Sequence, residues 1–90
     1  MKKSRRELER IIKGFANHRR LQILELLKKS PEMSVLEISE NLKSDFKNIS
    51  AHIYKMAIAG LLIKRNDFHS VRHKLTKRGM EVLKFVRTLE

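Results

Sequence analysis

The stretch Ser34–Leu62, SVLEISENLKSDFKNISAHIYKMAIAGLL, decides how the rest of the chain is read. It reads as two helices joined by a tight turn: Ser34 to Leu42, then Phe46 to about Ala59, with Gly60 just past the end. Ser34-Val-Leu-Glu37 has the capping-box pattern, in which the hydroxyl accepts from the amide three residues on and the carboxylate reaches back. Val35, Ile38 and Leu42 then share one face, and Glu37, Glu40 and Asn41 lie away from it. Lys43-Ser44-Asp45 interrupts the pattern, and Asp45 suits the positive start of the next helix.

In the second helix, Ile49, Ile53, Met56, Ala57 and Gly60 follow the spacing of a buried stripe. At roughly 100° per residue, Lys47, Asn48, Ala51, Tyr54, Lys55 and Ile58 fall on the other side. Such a pair holds its second helix across the first, where it can enter a groove. A donor-rich outer face is what contact with base edges and phosphates requires. Taken alone, the same face fits any solvated surface helix equally well.

Composition narrows the choice. Ninety residues, 41% of them hydrophobic, make one small domain over residues 1–90 with one modest core. The formal net charge is +11, from 21 Lys and Arg against 10 Asp and Glu, so the expected partner is a polyanion: nucleic acid, anionic membrane or acidic protein. The cations cluster between Lys2 and Arg20 and between Lys64 and Arg78, while Glu25 to Asp45 holds most of the remaining acids. Cysteine is absent, which excludes disulfides and thiolate metal sites. No apolar run approaches ~18 residues, and no apolar leader core follows Met-Lys-Lys, so a cytoplasmic protein is expected.

Outward from the central pair, Ser4-Arg-Arg-Glu7 is a second capping box, followed by Leu8, Ile11, Ile12 and Phe15 at helical spacing. Gly14 weakens that helix near its end. Asn17 caps a further helix over His18 to Lys29, whose broad apolar side of Leu21, Ile23, Leu24, Leu26 and Leu27 marks it as the central core helix. Ser30-Pro31 stops it, and Met33 begins a very short strand. After Gly60 the period changes to two. Leu61 to Arg65 and Val71 to Thr76 are the candidate strands of a basic hairpin, with Asn66 to Ser70 as a glycine-free and therefore longer tip. Thr76 caps a last helix, Lys77 to about Leu89. Its Met80, Val82, Leu83, Phe85, Val86 and Leu89 cover more of its circumference than one small core can bury. A second subunit is the simplest cover, and a frayed tail with exposed apolar residues is the other reading.

The order is thus a mainly α (α+β) winged helix-turn-helix: about five helices with a β-hairpin wing. Ala16-Asn-His-Arg-Arg-Leu-Gln-Ile-Leu-Glu-Leu-Leu27, Ser34-Val-Leu-Glu-Ile-Ser-Glu-Asn-Leu42 and Ser50-Ala-His-Ile-Tyr-Lys-Met-Ala-Ile-Ala-Gly-Leu-Leu62 resemble the core, positioning and recognition helices of ArsR-type winged helix-turn-helix regulators. Leu75-Thr-Lys-Arg-Gly79 resembles the start of the last helix in related regulators, MarR-like ones included. The resemblance implies a homodimeric transcriptional regulator, a repressor, on a near-palindromic double-stranded DNA operator. It implies dimer contacts from the terminal helices, here Leu8, Ile11, Ile12, Val82, Phe85, Val86 and Leu89. Lys47, Asn48, Ser50 and His52 fall where the family contacts DNA; Arg65, His69 and Arg72 fall in or beside its wing. The positioning helix lacks metal-binding cysteines and the last helix lacks histidine, so the metal sensing of many members does not carry over. His18 stands where a proline often opens the core helix, and the wing tip lacks the usual glycine.

With Ala51, Tyr54 and Lys55 added from the outer face, these residues make up the expected DNA site. Asn48 suits adenine; Lys47 and Lys55 suit guanine or phosphate. His52 either touches phosphate or braces its helix, and Tyr54 either meets the DNA backbone or packs against a neighbouring element. His69-x3-His73 is the one pair with metal-like spacing, but only Asp67 lies near it, and neither metal nor cofactor is expected. Ser50 and His52 point roughly 200° apart on a helix, and no phosphate-cradling motif occurs, so no enzyme is expected. The apolar face of the N-terminal helix is short for membrane binding. The alternative function is a winged-helix module that binds protein or RNA in a larger assembly.

Overall fold

Every helix opens on a side-chain cap, and these caps set the frame. The computed structural model of the protein describes residues 2–90. Its elements are α1 (Arg5–Phe15), α2 (His18–Lys29), α3 (Val35–Leu42), α4 (Phe46–Ile58), β1 (Leu62–Asn66), β2 (Val71–Leu75) and α5 (Lys77–Thr88). Ser4 and Ser34 complete reciprocal capping boxes with Glu7 and Glu37. Asn17, Asp45 and Thr76 accept from amides in the first turns of α2, α4 and α5. Each such cap contributes about 1 kcal/mol by occupying amides that the helix itself leaves unbonded.

α2 is the central helix, packing against α1, α3, α4, β2 and α5. Its Ile23, Leu24 and Leu27 meet Ile38 of α3, Ile49, Ile53 and Met56 of α4, Leu61, Leu62 and Leu75 of the hairpin, and Leu83 of α5 in one continuous core. Between α3 and α4 the chain turns at Lys43, held at φ 52°, and the Ser44 amide returns to the Ser39 carbonyl at 2.9 Å. After α4, Gly60 at φ 79° supplies the left-handed step that α4 needs to hand over to β1. The Arg78 guanidinium donates to the Ala59 carbonyl at 2.9 Å, and Thr76 ties the start of α5 to Gly60. The base of the hairpin is thereby stapled to α5.

The hairpin is a two-stranded antiparallel sheet with Leu62 opposite Leu75 and Arg65 opposite Arg72. The strands lie within one residue of the expected bounds. The expected strand at Met33 is a single bridge: the His73 amide donates to the Met33 carbonyl at 2.9 Å, and the Glu32 amide donates back to the His73 carbonyl at 3.0 Å. Glu32, at φ 67°, turns the chain away before a ladder can continue. The tip closes without glycine through the Asp67 amide on the Ser70 carbonyl at 2.8 Å.

Gly14 has a purpose that helix propensity hides. It is buried where α1 crosses α4, and a side chain there collides with the Ala59 Cβ. In an exposed helix, Gly→Ala gains about 0.8–1 kcal/mol, whereas overpacking a tight contact costs about 1–3 kcal/mol. Two β-carbons have no rotamer by which to part, so overpacking wins. Gly14→Ala is expected to lower the denaturant midpoint, and a raised midpoint refutes the close crossing.

Candidate nucleic-acid interface

α4 has two unlike sides. Ile49, Ile53 and Met56 are 0, 2 and 0% exposed and anchor it. Lys47, Asn48, Ser50, Ala51, Tyr54 and Lys55 are all exposed, as are Phe46 and Ile58. The Asp45 carboxylate accepts from the Asn48 amide at 3.2 Å, which sets the first turn. Among the described residues, no intramolecular hydrogen bond engages the Asn48 side chain or the Lys47 and Lys55 ammonium groups. The front of α4 therefore presents free donors on a rigid backbone.

His52 differs from its neighbours. It is half-buried, and its Nδ1 accepts from Nε of Arg20 at 3.0 Å; Nη1 of the same arginine donates to the Lys13 carbonyl at 2.8 Å. One guanidinium thus joins α1, α2 and α4. Burial, and then the Arg20 charge, hold the His52 pKa below its ordinary value. An Nδ1 that accepts leaves the proton on Nε2. Of the two readings for His52, the geometry favours the brace, with Nε2–H left as a donor. Ser50 is exposed while His52 turns toward α2, so the two do not converge as nucleophile and base.

In the wing, the expected DNA residues meet acids. Arg65 forks onto Glu32, its Nε 2.9 Å from Oε1. Glu32 is held below the usual carboxylate range by that bond, and Arg65 is correspondingly raised. Arg72 donates to the Asp67 carboxylate at 3.2 Å and to the Glu32 carbonyl at 2.8 Å, and lies 3.5 Å from Glu37. His69 is exposed at the tip. Lys64 and Lys74 are exposed and belong to none of the ion pairs among the described residues. His73 is buried, its Nδ1 donating to the Met33 carbonyl at 3.1 Å, so the two wing histidines do not share a site.

On the terminal helices, Ile12, Phe85 and Leu89 are exposed, Leu89 at 70%; Leu8, Ile11, Val82 and Val86 are half-buried. Nothing in the sequence pairs Arg20 with His52 or Glu32 with Arg65, which lie more than thirty residues apart. Phe68 is 96% exposed at the wing tip with its ring edge-on to His69; its signal in the sequence is an apolar residue in an otherwise polar turn.

The profile of the bacterial regulatory proteins of the arsR family matches residues 17–64, from the cap of α2 into β1. No curated protein matches the sequence at a significant level. Among solved structures, HlyU from Vibrio cholerae N16961 is 29% identical with a TM-score of 0.81, over 99% of this chain and 97% of that one. The transcriptional regulator HlyU from Vibrio vulnificus CMCP6 is 29% identical with a TM-score of 0.74, over 91% and 85%. The homodimeric winged helix-turn-helix DNA-binding domain of Mb0332 from Mycobacterium bovis shares the fold at 24% identity and a TM-score of 0.83, over 98% and 87%.

Burial also holds the His73 pKa down, against the pull of its bond to Met33. With both imidazoles depressed from 6.5, the unfolded chain binds more protons than the folded one below that value. Stability is complete above 6.5 and falls as the pH drops toward the lower folded values. Denaturant unfolding followed between roughly pH 7 and 5 is expected to show this loss. His52→Gln, which still accepts from Arg20 but does not titrate, makes the slope shallower. A flat wild-type profile overturns the assignment.

Proposed function

The chain belongs to the ArsR family of bacterial regulatory proteins, and from that premise we propose that it represses transcription as a homodimer on a near-palindromic double-stranded DNA operator. The observation that carries this is α4: apolar side chains sealed behind, free donors in front, and a cationic hairpin following it in the chain. In the dimer, two copies of α4 enter major grooves about 34–36 Å apart, one helical turn. Asn48 reads a base edge; Lys47, Ser50, Lys55 and the backbone around Ala51 contact bases and phosphates, and Tyr54 the DNA backbone. His69 works at the tip of the wing. Arg65 and Arg72 work there with acid partners already in place, so they hold the wing's shape as much as they attract phosphate.

The dimer surface is the apolar excess of the terminal helices: Leu8, Ile11, Ile12, Val82, Phe85, Val86 and Leu89. Residues 1–90 act as one DNA-binding unit with no catalytic role. Among the described residues, no helix is long and apolar enough to cross a membrane. The proposed target places the protein's work in the cytoplasm.

A net charge of +11 on a chain this small makes counterion release a large part of binding. Mobility-shift titrations at two salt concentrations are expected to show a steep loss of affinity; an affinity indifferent to salt refutes the DNA target. Asn48→Ala is expected to cost about 1–3 kcal/mol and to relax discrimination at one base pair. Unchanged operator choice removes Asn48 from base reading. Phe85→Glu with Leu89→Glu is expected to give a monomer by light scattering, whereas a persisting dimer moves the interface elsewhere.

A further inference from the structure

An open cleft of about 800 Å³ lies between α1, the start of α2 and the side of α4. Its walls carry Arg6, Arg10, Lys13, Arg20 and Lys55 against one acid, Glu9. Glu9 pairs with Lys13 at 3.5 Å, so its charge is already committed. Arg6, Arg10 and Lys55 enter no ion pair among the described residues. Convergent like charges repel, and a bound anion reverses the sign of that energy. A cleft so lined rejects an apolar ligand, whose burial would desolvate several cations at once.

Two side chains are already oriented for an anion. Arg20 is clamped by His52 and the Lys13 carbonyl through Nε and Nη1, which leaves Nη2 as a donor on an immobilised guanidinium. Little side-chain entropy remains to be lost there when an oxyanion arrives. Asn17 uses its Oδ1 to accept from the Arg19 and Arg20 amides, which leaves its NH2 as a donor at the wall. Guanidinium groups match phosphate oxygens in pairs, and three of the five cations are arginines.

We infer that this cleft is a phosphate-binding site, separate from the base-reading face of α4 and joined to it through Lys55. The phosphate has two sources with the same chemistry. One is the DNA backbone beside the base pairs that α4 reads, and that source rests on the proposed function. The other is a free phosphate ester, which does not.

The test uses the full chain and the variant Arg6→Gln/Arg10→Gln. Both arginines are exposed on α1 and make no side-chain hydrogen bond among the described residues, so its melting curve should match the wild type. Arg10→Glu serves as a second variant whose effect must run the same way. If the cleft takes backbone phosphates, the double variant weakens operator and random duplex alike. It also lowers the slope of log affinity against log salt by about two. If it takes a free ester, inorganic pyrophosphate titrated calorimetrically into DNA-free protein saturates at one site per chain, and the double variant loses it. Either result supports the site. Unchanged duplex affinity and slope, together with pyrophosphate binding that is absent or equal in the variant, overturns it. Should the wild-type chain bind no duplex, the proposed function fails and the pyrophosphate titration alone decides the cleft.

Discussion

The whole arrangement hangs on three side chains behind α4. Ile49, Ile53 and Met56 leave solvent almost entirely, packed in the core with Ile23, Leu24 and Leu27 of α2. Burying each contributes roughly 1.5–3 kcal/mol, against a net stability of only about 5–15 kcal/mol for a typical domain. A helix held that strongly from behind cannot roll. Its opposite side must then face outward, and what stands there is settled by helical phase alone. The caps at Ser34 and Asp45 place the two helices of the pair, and Lys43 in the left-handed region fixes the angle between them.

Charge is sorted by the fold into two kinds. Lys13 is matched with Glu9 within α1, while Arg65 and Arg72 are matched with acids and act as ties between segments. Lys47, Lys55, Lys64, Lys74, Arg6 and Arg10 remain unmatched among the described residues and generate the outward field. Exposed ion pairs contribute little stability, so the ties serve shape more than strength. The family premise agrees with this division: a DNA-binding body needs mobile counterions over its contact surface and stiff geometry underneath.

Local chemistry was legible in the sequence. The boxes at Ser4 and Ser34 and the caps at Asn17, Asp45 and Thr76 each follow from spacing within a few residues, and the structure carries all of them; of the expected stripe of α4, Ile49, Ile53 and Met56 are buried while Ala57 and Gly60 are half-buried. Met33 was half legible: its apolar character shows, but the left-handed turn at Glu32 that cuts the strand to one bridge does not. Gly14 reads from sequence as a weak point, because the neighbour that requires it, Ala59, lies at the far end of α4, forty-five residues along the chain. Of the candidate site, the exposure of Lys47, Asn48, Ser50, Ala51, Tyr54 and Lys55 was legible from helical phase, and the half-burial of His52 was not. The bond of Arg65 to Glu32, the reach of Arg72 to Glu32 and Glu37 and the clamp on His52 were hidden for one reason: these contacts join segments brought together only by the finished fold.

Arg72 reaches three places at once: Asp67 in the wing tip, the Glu32 carbonyl in the α2–α3 link, and Glu37, which closes the box at the head of α3. The hairpin is therefore no free arm on a hinge. A load applied to the tip is borne at the threshold of α3, the very helix that packs against α4, so the hairpin and the helix pair tilt together.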